Sequence, residues 1–120
     1  MFEVQHLTKR YTRITALDDV SFRIAPGEIL GYLGPNGSGK STTIKIITGL
    51  IDASSGQVFL RGQNVDDNPP AFRARLGYVP EEPYLYTHLT APEYLRLAGR
   101  LRGLAPAPLE ATIETLLQLL

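Results

Sequence analysis

The chain contains the segment Gly34-Pro35-Asn36-Gly37-Ser38-Gly39-Lys40-Ser41-Thr42, which fits the phosphate-binding pattern G-x-x-x-x-G-K-[ST] without a mismatch. Gly34, Gly37 and Gly39 can take a positive φ and leave no Cβ between the backbone and a ligand. The N–H groups of such a loop form an anion-binding hollow at the start of a helix, where the helix dipole adds positive potential. Lys40 supplies a full charge for the β- and γ-phosphates, and the Ser41 hydroxyl can ligate Mg²⁺. This phosphate loop, residues 34–42, predicts a nucleoside triphosphate site, and the simpler alternative is a Gly/Ser turn followed by an ordinary surface lysine.

The residues on either side of the phosphate loop support the same interpretation. An apolar run at 28–33 follows the turn residues Pro26-Gly27 and predicts a buried strand that leads into the loop. A helix over 43–50 should follow, although its β-branched residues are weak helix formers and need help from bound phosphate and from packing. Gly49 is a candidate stop for that helix. The side chains expected to pack against the sheet are Ile44, Ile47 and Leu50.

Composition excludes several classes of function. A chain of 120 residues has room for a single small core. Acidic and basic residues balance at twelve each, so no charged surface is predicted for nucleic acid or for an anionic membrane. Cysteine is absent, which excludes disulfides and thiolate metal sites within this sequence. The sequence shows no secretory pattern and no apolar run long enough to cross a bilayer, so direct membrane insertion is not expected.

The first residues predict an antiparallel pair of strands ahead of the phosphate loop. Phe2, Val4 and His6 alternate with Glu3, Gln5 and Leu7, which indicates a short strand. Residues 9–13 are interpreted as a polar connection, and residues 16–24 as a second strand. Its expected apolar face consists of Val20, Phe22 and Ile24. His6 is expected to be a half-exposed strand residue rather than a metal ligand.

More sheet is predicted after the first helix. A turn at 52–56 precedes a strand at 57–61 with Val58 and Leu60 on one face, and a second turn covers 62–64. Asn68-Pro69-Pro70 can start a brief helical turn that continues through 71–75. Residues 76–79 then predict a buried strand beside the one that leads into the phosphate loop. This arrangement places Glu81 at the carboxyl end of a strand, where open α/β sheets hold ligands.

The remaining third of the chain predicts two helices. Thr90-Ala91-Pro92-Glu93 has a threonine cap, an early proline and the glutamate of a capping box. The apolar stripe expected for this helix is Tyr94, Leu95, Ala98 and Leu101, and Gly103 should end it. Residues 105–108 are interpreted as a spacer before a helix with no stop signal, which suggests a chain cut from something longer. The apolar face of that helix is expected to be Leu109, Ile113, Leu116, Leu117 and Leu120.

Several of these elements together resemble one family. The residues that carry the likeness are Tyr11, the phosphate loop, Leu76-Gly77-Tyr78-Val79-Pro80-Glu81-Glu82-Pro83 and Leu89-Thr90. The chain resembles, over essentially its whole length, the N-terminal half of the ATP-binding subunit of an ABC transporter. This resemblance implies an α/β fold: a P-loop NTPase sheet core with an antiparallel β subdomain and the start of a helical subdomain, forming an incomplete domain. It implies a β subdomain and P-loop core over 1–80 and, over 81–120, a segment like the family's glutamine loop followed by the start of the helical subdomain.

The resemblance also assigns roles to residues. It implies that Tyr11 stacks on adenine, whereas the alternative is a tyrosine packed at a strand end. Glu81 stands where the family usually has a glutamine that contacts Mg²⁺ and the attacking water, as in a subgroup that includes drug- and ion-exporting ATPases. The Mg²⁺ ligands implied through the nucleotide are Ser41 and Glu81, although Glu81 and Glu82 remain open to interpretation as solvated loop charges. The implied nucleotide-binding residues are Tyr11, Gly34, Pro35, Asn36, Gly37, Ser38, Gly39, Lys40, Ser41 and Thr42.

Other parts of the family's machinery are expected elsewhere. The signature loop, the catalytic glutamate and the switch histidine should lie beyond residue 120, so no catalytic residue is assigned, with Glu81 as a possible contributor. His88 is interpreted as an ordinary loop histidine. Tyr84, Leu85 and Tyr86 would help to receive a cytoplasmic helix of the membrane subunit, or would instead close the local core.

The function implied by the resemblance is that of an ATP-binding subunit with ATP and Mg²⁺ as cofactors. Such a subunit couples ATP binding and hydrolysis to transport through a separate transmembrane permease, and works with a second ATPase subunit at the cytoplasmic face of the cell membrane. The 120-residue chain by itself is expected to bind nucleotide without turnover. The alternative is a non-transport ATPase of the same class, or another P-loop NTPase, that acts with a soluble partner.

Overall fold

The computed structural model describes residues 1–119 of the chain. Its four strands form one antiparallel sheet in the order β2-β1-β3-β4. The described residues fall into two compact units, residues 1–78 and residues 79–119. Along the chain the elements are β1 (Phe2–Tyr11), β2 (Ile14–Ile24), α1 (Lys40–Ile47), β3 (Ser55–Leu60), β4 (Gln63–Asn64), a 3₁₀ turn (Val65–Asp67), α2 (Pro69–Arg73), α3 (Ala91–Leu101) and α4 (Pro106–Gln118).

The antiparallel pair predicted for the first residues is confirmed, but it is longer than the sequence indicates. β1 continues to Tyr11, which pairs with Ile14, and only Thr12 and Arg13 connect the two strands. The prediction of a polar connection over 9–13 is therefore wrong for Lys9, Arg10 and Tyr11. Cross-strand pairing outweighs the low β-propensity of charged residues, because the partner strand satisfies their backbone groups.

A bulge at His6 changes which side chains of β1 face the core. His6 and Asp19 have φ values of 51° and 49°, and the pairing with β2 shifts register between Val4 and Leu7. Leu7 is consequently buried, while His6 is exposed rather than half-exposed. The irregularity places His6 Nδ1 2.7 Å from Asp19 Oδ1. An extra residue in one strand inverts the in/out alternation, which is why the simple pattern failed here.

The core of the first unit lies between the sheet and α1. Val4, Leu7, Leu17, Ile46 and Val58 form it. The predicted packing of Ile47 against this cluster is confirmed, but that of Ile44 and Leu50 is wrong, since both are exposed, Leu50 to 60%. Thr43 and Ile46 face inward instead, because α1 begins at Lys40 and its rotation is set at that end.

The predicted stop of α1 at Gly49 is confirmed. Gly49 has φ 70°, and its N–H donates to Ile46 O while the N–H of Leu50 donates to Lys45 O. These two bonds form a Schellman motif, which requires a left-handed residue at this position and therefore favours glycine. The helix itself ends earlier than predicted, at Ile47, with Thr48 as its C-cap.

Two predicted buried strands do not form. Residues 28–33 and 76–79 pair with no strand among the described residues, and Ile29 and Leu33 are 96% and 93% exposed. The prediction of strands at these positions is therefore wrong for this structure. An apolar run becomes a strand only when a neighbouring chain segment accepts its ladder hydrogen bonds, and sequence pattern does not supply that neighbour.

The segment between α1 and Tyr78 is close to its prediction. β3 includes residues 57–60 of the expected strand, but it already begins at Ser55, predicted as turn, and ends before Arg61. Val58 is buried on it. Gln63 and Asn64, interpreted as turn residues, pair with β3 as the short strand β4 after a left-handed turn at Arg61 and Gly62. The predicted helical turn is confirmed as α2, where the Asn68 side chain accepts a hydrogen bond from the N–H of Ala71.

The second unit contains α3 and α4. Glu93 accepts hydrogen bonds from the N–H and hydroxyl of Thr90 at 2.8 and 2.7 Å, and Gly103 ends α3 with φ 73°, as predicted. The predicted apolar stripe of α3 is partly wrong, because Ala98 and Leu101 are exposed. The buried position is Gly99, which faces Leu109 of α4. Residues 106–108, interpreted as spacer, form the first turn of α4, since proline is tolerated there.

The predicted apolar face of α4 is confirmed at two of its positions. Leu109 and Ile113 are buried, while Leu116 is exposed. A bidentate ion pair joins the two helices, with Arg96 Nε and Nη2 donating to the Glu110 carboxylate at 2.7 and 2.9 Å. Leu120, also predicted for this face, lies outside the described residues.

Candidate nucleotide-binding site

The phosphate loop has the backbone conformation that its glycines permit. Gly37 and Gly39 have φ values of 82° and 88°, so both lie in the left-handed region that other residues rarely adopt. Gly34 differs from the prediction, because it is not among the residues with positive φ. A Cβ at position 34 would lie 2.7 Å from the Ser38 Oγ, so a larger residue there would require the Ser38 side chain to rotate. The loop thus closes on itself at Ser38, whose N–H donates to Pro35 O.

Gly39 fixes the start of α1 against the hairpin. It is the N-cap of the helix, and a Cβ there would lie 2.5 Å from the Ala16 carbonyl oxygen and 3.1 Å from Leu17 Cδ1. The first turn of an α-helix leaves its N–H groups without partners inside the helix, and they carry positive potential. This close approach therefore determines where those donors lie relative to β2.

Lys40 lies over the loop. Its Nζ donates to the carbonyl oxygens of Gly34 and Pro35, both at 2.6 Å. The ammonium group is thus held by the same backbone that would surround a phosphate chain. Ser41 is exposed and Thr42 half-buried on the first turn of α1.

A buried hydroxyl pair lies beneath the loop, and the sequence analysis did not identify it. Thr43 is fully buried, and its Oγ1 donates to the Gly39 carbonyl oxygen at 3.0 Å. The Tyr32 hydroxyl lies 3.2 Å from the same Oγ1 and therefore donates to it. The Tyr32 ring also contacts Phe22 of β2, with centroids 5.8 Å apart. The segment before the loop is thus anchored to both α1 and the hairpin.

Tyr11 lies at the end of the hairpin nearest the phosphate loop. Ala16 contacts Gly39, and Ile14, two positions away on β2, pairs with Tyr11. With about 3.3 Å per strand residue and about 5 Å between paired positions, Tyr11 lies on the order of 10 Å from the loop. Tyr11 is 53% exposed, so nearly half of its surface is covered by neighbouring residues.

Lys9 contacts Tyr11, and this neighbour was also missed by the sequence analysis. The Lys9 Nζ lies 5.2 Å from the centroid of the Tyr11 ring. It also donates to the Asp52 carbonyl oxygen at 2.6 Å. Residues two apart on a strand share a face, so a strand through residue 11 would have predicted this neighbour. The interpretation of residues 9–13 as a connection prevented that prediction.

The sequence-predicted residues of the second unit lie on a surface loop. Glu81 and Glu82 are both exposed. Tyr84 is 88% exposed, while Tyr86 contacts the rings of His88 and Tyr94 at centroid distances of 5.9 and 6.1 Å. The ring of Tyr86 is therefore partly packed against neighbouring side chains, whereas the side chain of Tyr84 is almost entirely exposed.

Two searches of the described residues bear on other kinds of site. Residues 1–119 contain no cluster of three or more His, Asp or Glu side chains that could hold a metal ion by themselves. Within the same range, no helix combines the length and the apolar character needed to span a membrane.

Comparisons with known proteins agree with this geometry. A family described as ABC transporter matches residues 17–120. The chain is 40% identical over 118 residues to the ABC-type transporter ATP-binding protein EcsA of Bacillus subtilis (strain 168), a match that covers 98% of the chain and 48% of EcsA. The chain therefore spans about half the length of this relative.

Solved structures show the same similarity. One, described as an ATP-binding subunit of an ABC transporter, has a TM-score of 0.77 at 42% identity. The match covers 89% of this chain and 45% of that subunit. Another, a dimeric ATP-binding cassette in a post-hydrolysis state with ADP and Pi bound, has a TM-score of 0.80 at 29% identity, with coverage of 98% and 55%. These matches show an α/β P-loop ATPase fold, of which the antiparallel sheet and helices described here are a part.

Proposed function

This chain belongs to the ABC transporter family, and on that premise we propose that it binds ATP as part of a subunit that couples ATP binding and hydrolysis to transport through a separate permease. The proposal assigns the triphosphate to the phosphate loop and the adenine base to Tyr11. The relatives it resembles are described as ATP-binding proteins of ABC transporters, and one resembled structure holds ADP and Pi.

The observation that carries the proposal is the preformed phosphate loop. Gly37 and Gly39 already have left-handed backbone, and the Lys40 ammonium already lies within hydrogen-bonding distance of two loop carbonyl oxygens. On this proposal the Lys40 ammonium exchanges its two contacts with neutral carbonyl oxygens for contacts with anionic phosphate oxygens, and these are stronger because both partners are charged. Little backbone rearrangement is needed, so binding energy is not spent on ordering the loop.

Mg²⁺ fits the donors that the chain offers. The Ser41 hydroxyl is exposed on the first turn of α1, and Glu81 offers an exposed carboxylate. Both are the hard oxygen ligands that Mg²⁺ takes, usually beside phosphate oxygens and water. When bound, the ion neutralises charge that develops on the β- and γ-phosphates. The proposed contribution of this chain is to bind and orient the triphosphate through residues 34–42, with Glu81 as a proposed metal ligand.

The proposed partners are a second ATPase subunit and a transmembrane permease. A dimeric structure is among those that the chain resembles, which supports the first partner. The exposed loop with Tyr84 and Leu85 supports the second, because exposed apolar side chains close together mark contact surfaces. On this proposal the protein acts at the cytoplasmic face of the cell membrane, held there by the permease.

The test is calorimetric titration of the full-length protein with ATP and Mg²⁺. Lys40→Ala should weaken ATP binding by about 10- to 150-fold, the equivalent of roughly 1.5–3 kcal/mol for a charged hydrogen bond. Lys45→Ala, at an exposed position near the end of α1, is the matched control and should bind ATP like the wild type. Equal affinity of the wild type and Lys40→Ala would refute the nucleotide site.

The coupling to transport needs a second measurement. ATP hydrolysis should rise when the full-length protein is reconstituted in vesicles with its permease, and Lys40→Ala should abolish that rise. Stimulation by a soluble partner in the absence of any permease would favour a non-transport ATPase of the same class.

A further inference from the structure

We propose that Lys9 is a positioning residue for the adenine-stacking ring of Tyr11. Its ammonium group covers one face of the ring and leaves the other face for the base. The inference rests on the proposed nucleotide site, which assigns the base to Tyr11, and extends it by naming the residue that holds the stacking ring in place.

The contact follows from the strand that carries both residues. Lys9 and Tyr11 lie on β1, two positions apart, and therefore point to the same side of the sheet. The Lys9 Nζ lies 5.2 Å from the centroid of the Tyr11 ring, within the range over which a cation is attracted to the negative face of an aromatic ring. A ring has two faces, and this contact uses one of them.

A hydrogen bond from elsewhere in the fold fixes the lysine. Its Nζ donates to the Asp52 carbonyl oxygen at 2.6 Å, in the turn that follows α1. The same turn holds the end of β1, since the N–H of Arg10 donates to Ser54 Oγ and the N–H of Ser54 donates to Thr8 O, both at 2.9 Å. Lys9 is half-buried as a result, so its ammonium group occupies a defined position rather than a mobile one.

Holding the ring matters because of where the ring lies. Tyr11 is the last residue of β1, next to the two-residue connection of the hairpin, and is 53% exposed. A ring at such a position samples several rotamers, and stacking on a base would restrict it to one. An ammonium group fixed over one face restricts the rotamers of the Tyr11 ring before the nucleotide binds. Less conformational entropy is then lost on binding.

A different role for Lys9 makes a different prediction. If its charge acted directly on the phosphates, loss of that charge would weaken the binding of inorganic triphosphate as much as the binding of ATP. If Lys9 acts through Tyr11, only the ligand with a base should be affected. The two ligands therefore separate positioning of the ring from long-range electrostatic attraction.

The experiment is calorimetric titration of the full-length protein with ATP and with inorganic triphosphate, each with Mg²⁺. Lys9→Met should weaken ATP by about two- to fivefold, as expected for an exposed cation–π contact, and leave triphosphate unchanged. Lys9→Arg should restore ATP binding, because the guanidinium also lies favourably over a ring face. In a Tyr11→Leu background the effect of Lys9→Met should vanish. The control with the same change of charge is Lys45→Met, which should alter neither ligand.

The results distinguish failure of this inference from failure of the nucleotide site. Equal losses of ATP and triphosphate in Tyr11→Leu would refute the stacking role of Tyr11 and with it the basis of the inference. Suppose instead that Tyr11→Leu loses affinity for ATP but not for triphosphate. The role of Lys9 alone would then be refuted if Lys9→Met lost no ATP affinity, or if it lost affinity for both ligands equally. Unchanged triphosphate affinity in Lys9→Met also shows that the variant is folded.

Discussion

The backbone at Gly39 lies so close to the Ala16 carbonyl oxygen that a Cβ at position 39 would approach it to 2.5 Å. Gly39 also has φ 88°, so two separate constraints act on one residue. One is conformational and the other is steric, and both locate the first turn of α1 against β2.

Replacement of Gly39 should therefore cost more than replacement of a glycine with only one of these constraints. Gly62 has φ 80° and open space around its Cβ position, so Gly62→Ala should cost about 1–2 kcal/mol of folding stability from backbone strain. Gly39→Ala should cost a further 1–3 kcal/mol, roughly the penalty for overpacking. Urea denaturation of the two variants measures the difference. Equal losses would show that α1 can move away from β2 without cost.

Loss of the hydroxyl pair beneath the phosphate loop, Tyr32 and Thr43, should reduce folding stability by a smaller amount. Tyr32→Phe removes the hydroxyl 3.2 Å from Thr43 Oγ1 and should cost about 0.5–1.5 kcal/mol, the net value of a hydrogen bond. Thr43→Ser keeps the acceptor and serves as the control for the hydrogen bond. The free energy of unfolding in urea is the measurement, and a double variant with Thr43→Val should show coupling between the two sites. Independent effects would mean that the two hydroxyls do not interact.

The stability that the Thr90–Glu93 capping box gives to the start of α3 should depend on pH. Hydrogen bonds from the Thr90 side chain and then from its backbone N–H lower the pKa of Glu93 below its ordinary value. A lowered pKa in the folded state stabilises the protein above the unfolded pKa, and this stability is lost as the pH falls through the folded value.

The wild type should therefore be more stable than Glu93→Gln at neutral pH, and the gap should narrow on acidification below the ordinary glutamate pKa. Glu114→Gln, which removes an exposed charge on α4, should show a smaller gap at neutral pH. Thermal unfolding followed by circular dichroism over a pH series measures both. A gap for Glu93→Gln that widens towards acid would contradict the assigned direction.

Glu81 carries a prediction about metal dependence. Glu81→Gln keeps the shape and one oxygen ligand but removes a charge, so ATP binding should change little while the Mg²⁺ concentration for half-maximal hydrolysis shifts. Glu82→Gln, an adjacent exposed residue with the same change, is the control. Magnesium titration of ATP hydrolysis by the full-length protein is the measurement. An unshifted midpoint with unaltered turnover would make Glu81 a solvated loop charge.

Features set by short-range chemistry could be predicted from the sequence. The capping box at Thr90 and the helix stops at Gly49 and Gly103 lie where the sequence analysis placed them. Each depends on residues within a few positions of one another, so no distant part of the chain is needed to specify it. The pattern of the phosphate loop belongs to the same class.

Features set by partners distant in sequence could not be predicted. Lys9 is held by Asp52 and Thr43 by Tyr32, and neither pair is apparent from spacing or periodicity. The alternation of β1 fails at the His6 bulge, since a bulge depends on the pairing with β2. Residues 28–33 have the apolar pattern of a strand, yet the pattern does not say which segment would pair with them.

By itself, the sequence determined that a glycine loop ending in Lys40 would precede a helix, because that outcome depends on which backbone conformations glycine allows. The tertiary structure decided which face of α1 is buried and where Tyr11 lies relative to the loop. The contact of Gly39 with Ala16 sets the rotation of the helix, and the pairing of Tyr11 with Ile14 brings the ring towards the same end of the sheet. Gly39 and Ala16 are far apart in sequence and meet only in the folded chain, and the pairing of Tyr11 with Ile14 depends on the register of the whole hairpin. The intrinsic propensity of single residues carries no information about either.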